Sequence, residues 1–204
     1  DLEALQTAKF DAIMFGNEND RPYQLTVDIA STAAAAYIIG ELKKDIQIPF
    51  GVDMLWDPIA TIALGTATKA NFVREIFTGT YSSDMGIWEP DAGKALRYRK
   101  ILGSEEMLLF FNISAEFAYS QDRRSLSDRA RSVVFSSLPD AILVSGQITG
   151  EAASINDLIS VKKALPNTPV LANTGVKHDT VTQVLTTADG CIVGSSLKED
   201  GDTW

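Results

Sequence analysis

Histidine and cysteine are nearly absent from this chain. Its 204 residues include one cysteine, Cys191, and one histidine, His178. A single thiol forms no internal disulfide and suits a reducing compartment. One imidazole and one thiol support neither a His-rich zinc site nor a Cys–His nucleophile pair. Positive charge is also short. A formal net charge of -9 argues against a general nucleic-acid or anionic-membrane surface, while leaving room for a local pocket for one small anion. No apolar run reaches the ~20 residues that span a bilayer. Residues 1–9 (DLEALQTAK) are polar and read as the end of an amphipathic helix rather than a secretory leader. These absences set the expectation of a cytoplasmic protein with no nucleic-acid partner and no membrane insertion. Phosphate-loop motifs are missing too: no GxGxxG follows the first strand and no GxxxxGK[ST] occurs anywhere. No nucleotide cofactor is expected, and a nucleotide hydrolase is the weakest of the functional readings.

What is present is an alternation of apolar runs and helical patterns. Hydrophobic residues make up 45% of the chain and charged ones 22%, enough for a sizeable core in one domain, 1–204. Strands are predicted at 12–18, 49–55, 72–77, 108–114, 141–146, 169–173 and 191–194. Helices are predicted at 26–44, 58–69, 90–101, 125–137, 155–165 and 179–187, the last capped by Asp179. Continuous apolar strands with helical crossovers mean a parallel sheet covered on both faces. A complete eight-unit barrel runs to ~250 residues. The expected fold is therefore α/β, a (β/α)8 TIM barrel lacking its first strand and last helix, truncated at both ends. The competing fold is an open doubly wound sheet.

Barrel chemistry sits at the C-terminal ends of the strands. There the sequence places Asn17, Glu18, Asp53, Arg74, Glu75, Asn112, Ser114, Ser145, Asn173 and Thr174. Glu18 and Asp53 are candidates for general base and acid, or for sharing a Mg²⁺; helix capping is the plainer reading. Strand alternation lets only one of Arg74 and Glu75 face inward; Arg74 is the choice, as a cation for an anionic substrate, against an ion pair on the strand end. Asn112, Ser145 and Asn173 are expected to contact the rest of a substrate. Residues 191–201 (CIVGSSLKEDG) and 169–175 (PVLANTG) end strands in Gly, Ser and Thr, so Gly175, Gly194 and Ser195 are expected to hold a phosphate by backbone N–H groups. The loop 145–150 (SGQITG) can bring further donors close to a ligand. Residues 78–88 (TGTYSSDMGIW) read as a lid, or as a packed loop or subunit contact. His178 reads as a solvated loop residue on the functional face, and Cys191 as a buried core thiol.

Several segments in order, 48–56 (IPFGVDMLW), 72–81 (FVREIFTGTY), 95–99 (ALRYR), 141–150 (AILVSGQITG) and 188–201 (ADGCIVGSSLKEDG), resemble the BtpA family, most of all its SgcQ branch. The resemblance implies a (β/α)8 barrel. The family takes its name from a member needed for photosystem I accumulation, whereas SgcQ-like members occur among sugar uptake and metabolism genes in bacteria without a photosystem; it brings no established reaction. This chain has Asn112-Ile113-Ser114-Ala115-Glu116 where many members carry a Val-Lys-His-like motif, and Asp53 where many have Asn. Three readings follow. One is an enzyme of sugar or sugar-phosphate metabolism, an isomerase or a lyase; no strand lysine suggests Schiff-base chemistry. The others are a non-catalytic binding or assembly protein of the BtpA type, and a nucleotide hydrolase. Exposed apolar edges of a truncated barrel predict a homo-oligomer.

Overall fold

The computed structural model describes residues 1–198. Seven parallel strands follow one another in the order β1 (Ile13–Gly16), β2 (Phe50–Asp53), β3 (Phe72–Glu75), β6 (Leu108–Asn112), β8 (Ala141–Val144), β9 (Val170–Ala172) and β10 (Gly190–Cys191). Each is laid beside its predecessor in the chain, with no reversal about a central switch point. That is the strand order of a partial (β/α) barrel, and it removes the doubly wound alternative. The chain divides into two compact units, 1–77 with 91–109, and 78–90 with 110–204.

In the first unit, β1 pairs with β2 so that Gly16 lies opposite Asp53, and β2 pairs with β3 with Gly51 opposite Phe72. A Cβ at Gly51 would stand 2.1 Å from the Phe72 ring, so any larger residue there would have to displace that buried ring. Helices α2 (Ile29–Leu42), α3 (Pro58–Thr68) and α4 (Ala92–Ile101) each begin on an aspartate that accepts backbone N–H groups: Asp28 from Ser31, Asp57 from Ile59 and Ala60, Asp91 from Lys94. The Asp28 cap starts α2 at Ile29, three residues later than its apolar pattern suggests. Val52, Ile62, Leu64, Val73 and Phe77 form the core.

In the second unit, β6, β8, β9 and β10 pair in that order, with Asn112 opposite Leu143 and Val144 opposite Ala172. Helices α5 (Leu126–Ser137) and α6 (Ile155–Ala164) start on Ser125 and Ser154. Helix α7 (Val181–Leu185) starts after Thr180 rather than on Asp179 as the sequence suggests, and Thr180 makes no side-chain cap; its Oγ1 accepts the Lys177 N–H in the turn before the helix. Residues 78–88 are not an open loop either. They form a hairpin, β4 (Tyr81–Ser83) and β5 (Gly86–Trp88), and β4 also pairs antiparallel with β7 (Ala118–Ser120). Tyr81 and Trp88 are buried against each other, ring centroids 5.4 Å apart. Burial pushes the Tyr81 hydroxyl up to about 12.

Candidate functional site

The first unit gathers charge where β1, β2 and β3 end. Asp53 is 1% exposed and Glu75 4%. Arg74 Nη1 donates to Asp53 Oδ2 at 2.6 Å, and Glu75 is hydrogen-bonded to the Asp53 carboxyl. Glu75 Oε2 also accepts the Trp56 N–H at 2.8 Å, and Oε1 accepts the Ile76 N–H at 2.6 Å. Burial, and next the negative charge of Asp53, hold the Glu75 carboxyl well above the ordinary glutamate range; the Ile76 N–H and the Arg74 charge oppose the shift without cancelling it. Arg74 sets a positive charge against the two carboxyls.

The chain after β2 is shaped to hold this arrangement. Met54 N–H goes to Thr61 Oγ1, Leu55 N–H to Asn17 Oδ1 and Trp56 N–H to Glu75. Trp56 sits at φ 72°, a left-handed conformation that disfavours a bulky residue and marks a position fixed by its surroundings. Glu18 is half-buried beside Asp53: a Cβ placed on Gly16 would lie 3.8 Å from both Glu18 Cγ and Asp53 Cβ. The expected trio of Glu18, Asp53 and Arg74 is thus brought together. Glu75, which strand alternation argued against, joins it. It ends β3, where the pleat stops constraining the direction of side chains, and arginine is long enough to reach round. A buried carboxylate at a strand end was the available signal.

In the second unit Asn112, Ser145 and Asn173 meet. Asn112 Nδ2 and Asn173 Nδ2 both donate to Ser145 Oγ, at 2.9 and 2.8 Å. Ser114 N–H donates to Asn112 Oδ1, and Ser145 N–H to Ser114 Oγ. Thr174 Oγ1 accepts the Gly146 N–H and donates to the Glu151 carbonyl.

The proposed phosphate residues are close by in the same unit. Ser196 Oγ donates to the Val176 carbonyl at 3.0 Å, joining the loops after β9 and β10. Gly150 adds the loop after β8, since a Cβ on it would lie 3.9 Å from Ser195 Oγ. Gly175 has φ 64°, and a Cβ there would stand 2.2 Å from the Ala152 nitrogen. Loop packing alone therefore demands this glycine. Gly194 has no such constraint among the described residues: none of them lies within 4 Å of its would-be Cβ. Residues 199–201 of the same segment lie outside the described residues. His178 is exposed, and Cys191 is half-buried rather than fully buried, its thiol pushed up by desolvation. Among the described residues no group of three or more His, Cys, Asp or Glu side chains could hold a metal ion, and no helix is long and apolar enough to cross a membrane.

An α/β chain with its polar residues at sheet ends in this order has clear relatives. The BtpA family model matches residues 1–204, and the chain belongs to the BtpA family. It is 46% identical to the putative sgc region protein SgcQ of Escherichia coli (strain K12), over 98% of this chain and 75% of that one. It is 33% identical to an uncharacterized protein of Archaeoglobus fulgidus, over 98% of this chain and 80% of the relative. It is 30% identical to the photosystem I biogenesis protein BtpA of Synechocystis sp., over 98% and 70%. A nitroalkane oxidase structure from Streptomyces ansochromogenes overlaps 90% of this chain and 49% of its own at 14% identity, with a TM-score of 0.45, too low to bear on the fold.

Proposed function

We propose that this protein is a cytoplasmic (β/α)-barrel enzyme of sugar or sugar-phosphate metabolism, acting by acid–base chemistry of the isomerase or lyase type on a phosphorylated small molecule. The observation that carries the reading is the buried Asp53–Glu75 carboxyl pair, with Arg74 Nη1 2.6 Å from Asp53 Oδ2. A buried carboxyl whose pKa is raised can serve as a general acid, and an ionised neighbour as a base. Glu18, more exposed than either, is the carboxylate assigned to take a proton from a carbon next to a carbonyl. Return of that proton to the adjacent carbon, with the neighbouring hydroxyl giving up its proton and the carbonyl oxygen gaining one from the protonated carboxyl, gives isomerisation; in lyase chemistry the carboxylate instead takes the proton of the hydroxyl β to the carbonyl, the C–C bond breaks to an aldehyde and an enolate, and the enolate carbon is reprotonated. Arg74 offsets negative charge as it develops.

Phosphate binding is assigned to the second unit, at the backbone N–H groups of Gly175, Gly194 and Ser195. A non-catalytic role, as the printed name of the Synechocystis relative suggests for that protein, is the alternative. A thermal-shift screen of sugar phosphates, free sugars and nucleotides separates the two, because only bound ligands raise the melting temperature. Gly194→Asp should fold normally, since its Cβ meets none of the described residues, and should lose phosphate-dependent stabilisation. Asp53→Asn should keep ligand binding and lose turnover. Unchanged sugar-phosphate binding by Gly194→Asp removes the anion assignment; full turnover by Asp53→Asn removes the catalytic one.

A further inference from the structure

Asn112, Ser145 and Asn173 are each more than nine-tenths buried, and none carries a charge. Two amide N–H groups converge on Ser145 Oγ and occupy its two lone pairs. The Ser145 hydroxyl proton must then be donated elsewhere. Asn112 Oδ1 is taken by Ser114, but Asn173 Oδ1 has no hydrogen-bond partner among the described residues although it is buried. One donor and one acceptor therefore remain side by side on neighbouring strand ends. Buried polar atoms are rarely left so, because an unmet acceptor forfeits the hydrogen bond it had to water.

The chemistry of this pair is selective. An ionised carboxylate offers only acceptors and is repelled by Asn173 Oδ1, and a phosphate, though it can keep a P–OH donor, brings a negative charge to the same buried carbonyl oxygen. An ammonium offers only donors and leaves the Ser145 proton unmet. An alcohol hydroxyl does both at once: it donates to Asn173 Oδ1 and accepts from Ser145 Oγ. The cluster agrees with this, since its three side chains are themselves uncharged.

Two segments continue from these residues. Residues 113–117 follow Asn112, and residues 146–151 follow Ser145. They are joined by Phe117 N–H to the Gln147 carbonyl at 3.0 Å and by Thr149 Oγ1 to Glu116 Oε2 at 2.8 Å. The Thr149–Glu116 bond is solvent-exposed, and Phe117 is held at φ 53°, a conformation that costs a bulky residue.

We propose that Asn112, Ser145 and Asn173 form a subsite for an uncharged hydroxyl group of a polyhydric ligand, entered when the 113–117 and 146–151 segments part. The subsite rests on the reading that the second unit binds substrate, and narrows that substrate to one with a free alcohol beyond its phosphate. The test uses the whole chain with 15N-labelled asparagine and serine, 15N-labelled glycine, and three probes: xylitol, D-ribose and inorganic phosphate. Xylitol or ribose should move the side-chain NH2 signals of Asn112 and Asn173. Ser145→Ala should weaken that response about tenfold, as loss of one hydrogen bond does, and Ser145→Thr, which keeps the hydroxyl, should restore it.

Silence of the asparagine signals towards both polyhydric probes, or their movement by inorganic phosphate alone, overturns the subsite. Phosphate shifting only the backbone signals of Gly194 and Ser195, with the polyhydric probes silent, sinks the subsite and leaves the phosphate assignment standing. The converse, polyhydric probes active and phosphate bound nowhere, supports the subsite and removes the phosphate assignment. The wild-type signals decide the matter even if Ser145→Ala fails to fold.

Discussion

Glu75 shows how one residue ties stability to protonation. Its carboxyl is buried, bonded to Asp53 and met by two backbone N–H groups, and it keeps its proton far above the ordinary value of 4.5. The folded state therefore binds a proton that the unfolded chain has already released. Stability from this group is fully present below about pH 4.5 and is lost as pH rises towards the raised value, at up to about 1.4 kcal/mol per pH unit. Glu75→Gln should flatten that decline. It should also lower stability at acid pH by roughly 1–3 kcal/mol, because an amide nitrogen cannot accept the backbone N–H that a carboxyl oxygen can. Urea unfolding midpoints measured at a series of pH values check both effects, and a wild-type slope retained by Glu75→Gln would sink the account. Sequence reasoning found Asp53, Arg74 and Glu18 here because polar residues at the ends of apolar strands stand out. It set Glu75 aside because strict alternation gives neighbouring residues opposite faces, a rule that holds within a strand and lapses at its last residue.

At the scale of elements, apolar strands and aspartate- or serine-capped helices were legible because each carries its signal locally. The hairpin β4–β5 was not. Its strands are three residues each and its third partner, β7, lies over thirty residues further along, in a stretch with no strand pattern of its own. Glycines in loops were legible as glycines, but not the reason for each. Gly175 and Gly194 read alike in the sequence as possible phosphate cradles, yet only Gly175 is locked by packing, with Ala152 and Glu151 backbone against it and φ at 64°. Gly175→Ala should destabilise the protein by more than ~1 kcal/mol, from the left-handed backbone and the clash together. Gly194→Ala should leave stability within about 0.5 kcal/mol. Thermal melts of the two variants measure the contrast directly, and equal melting temperatures would contradict the packing argument.

At the scale of the whole molecule, the sequential strand order and the family membership were both readable from the chain, since each rests on many residues in series rather than on one. Assembly rests on fewer. Helix α2 buries only Ile39; Ile29 is 88% exposed, Tyr37 69% and Ile38 54%. Its first twelve residues, IASTAAAAYIIG, carry no charge at all, in a chain whose net charge is -9. Two copies of so acidic a protein repel each other over most of their surface, and α2 offers an approach with no like charges facing. The exposed, uncharged turn that carries Tyr37 and Ile38 is the surface proposed for an interaction. A second copy of this chain is the proposed occupant, giving a homo-oligomer. Light scattering should report a mass above the 22.1 kDa of one chain. Tyr37→Glu combined with Ile38→Glu should return it to that value without lowering the melting temperature of the monomer, because both side chains face solvent within the chain. A wild-type protein that scatters as a monomer at every concentration tested would refute the assembly, and an oligomer untouched by the double substitution would move it to another surface.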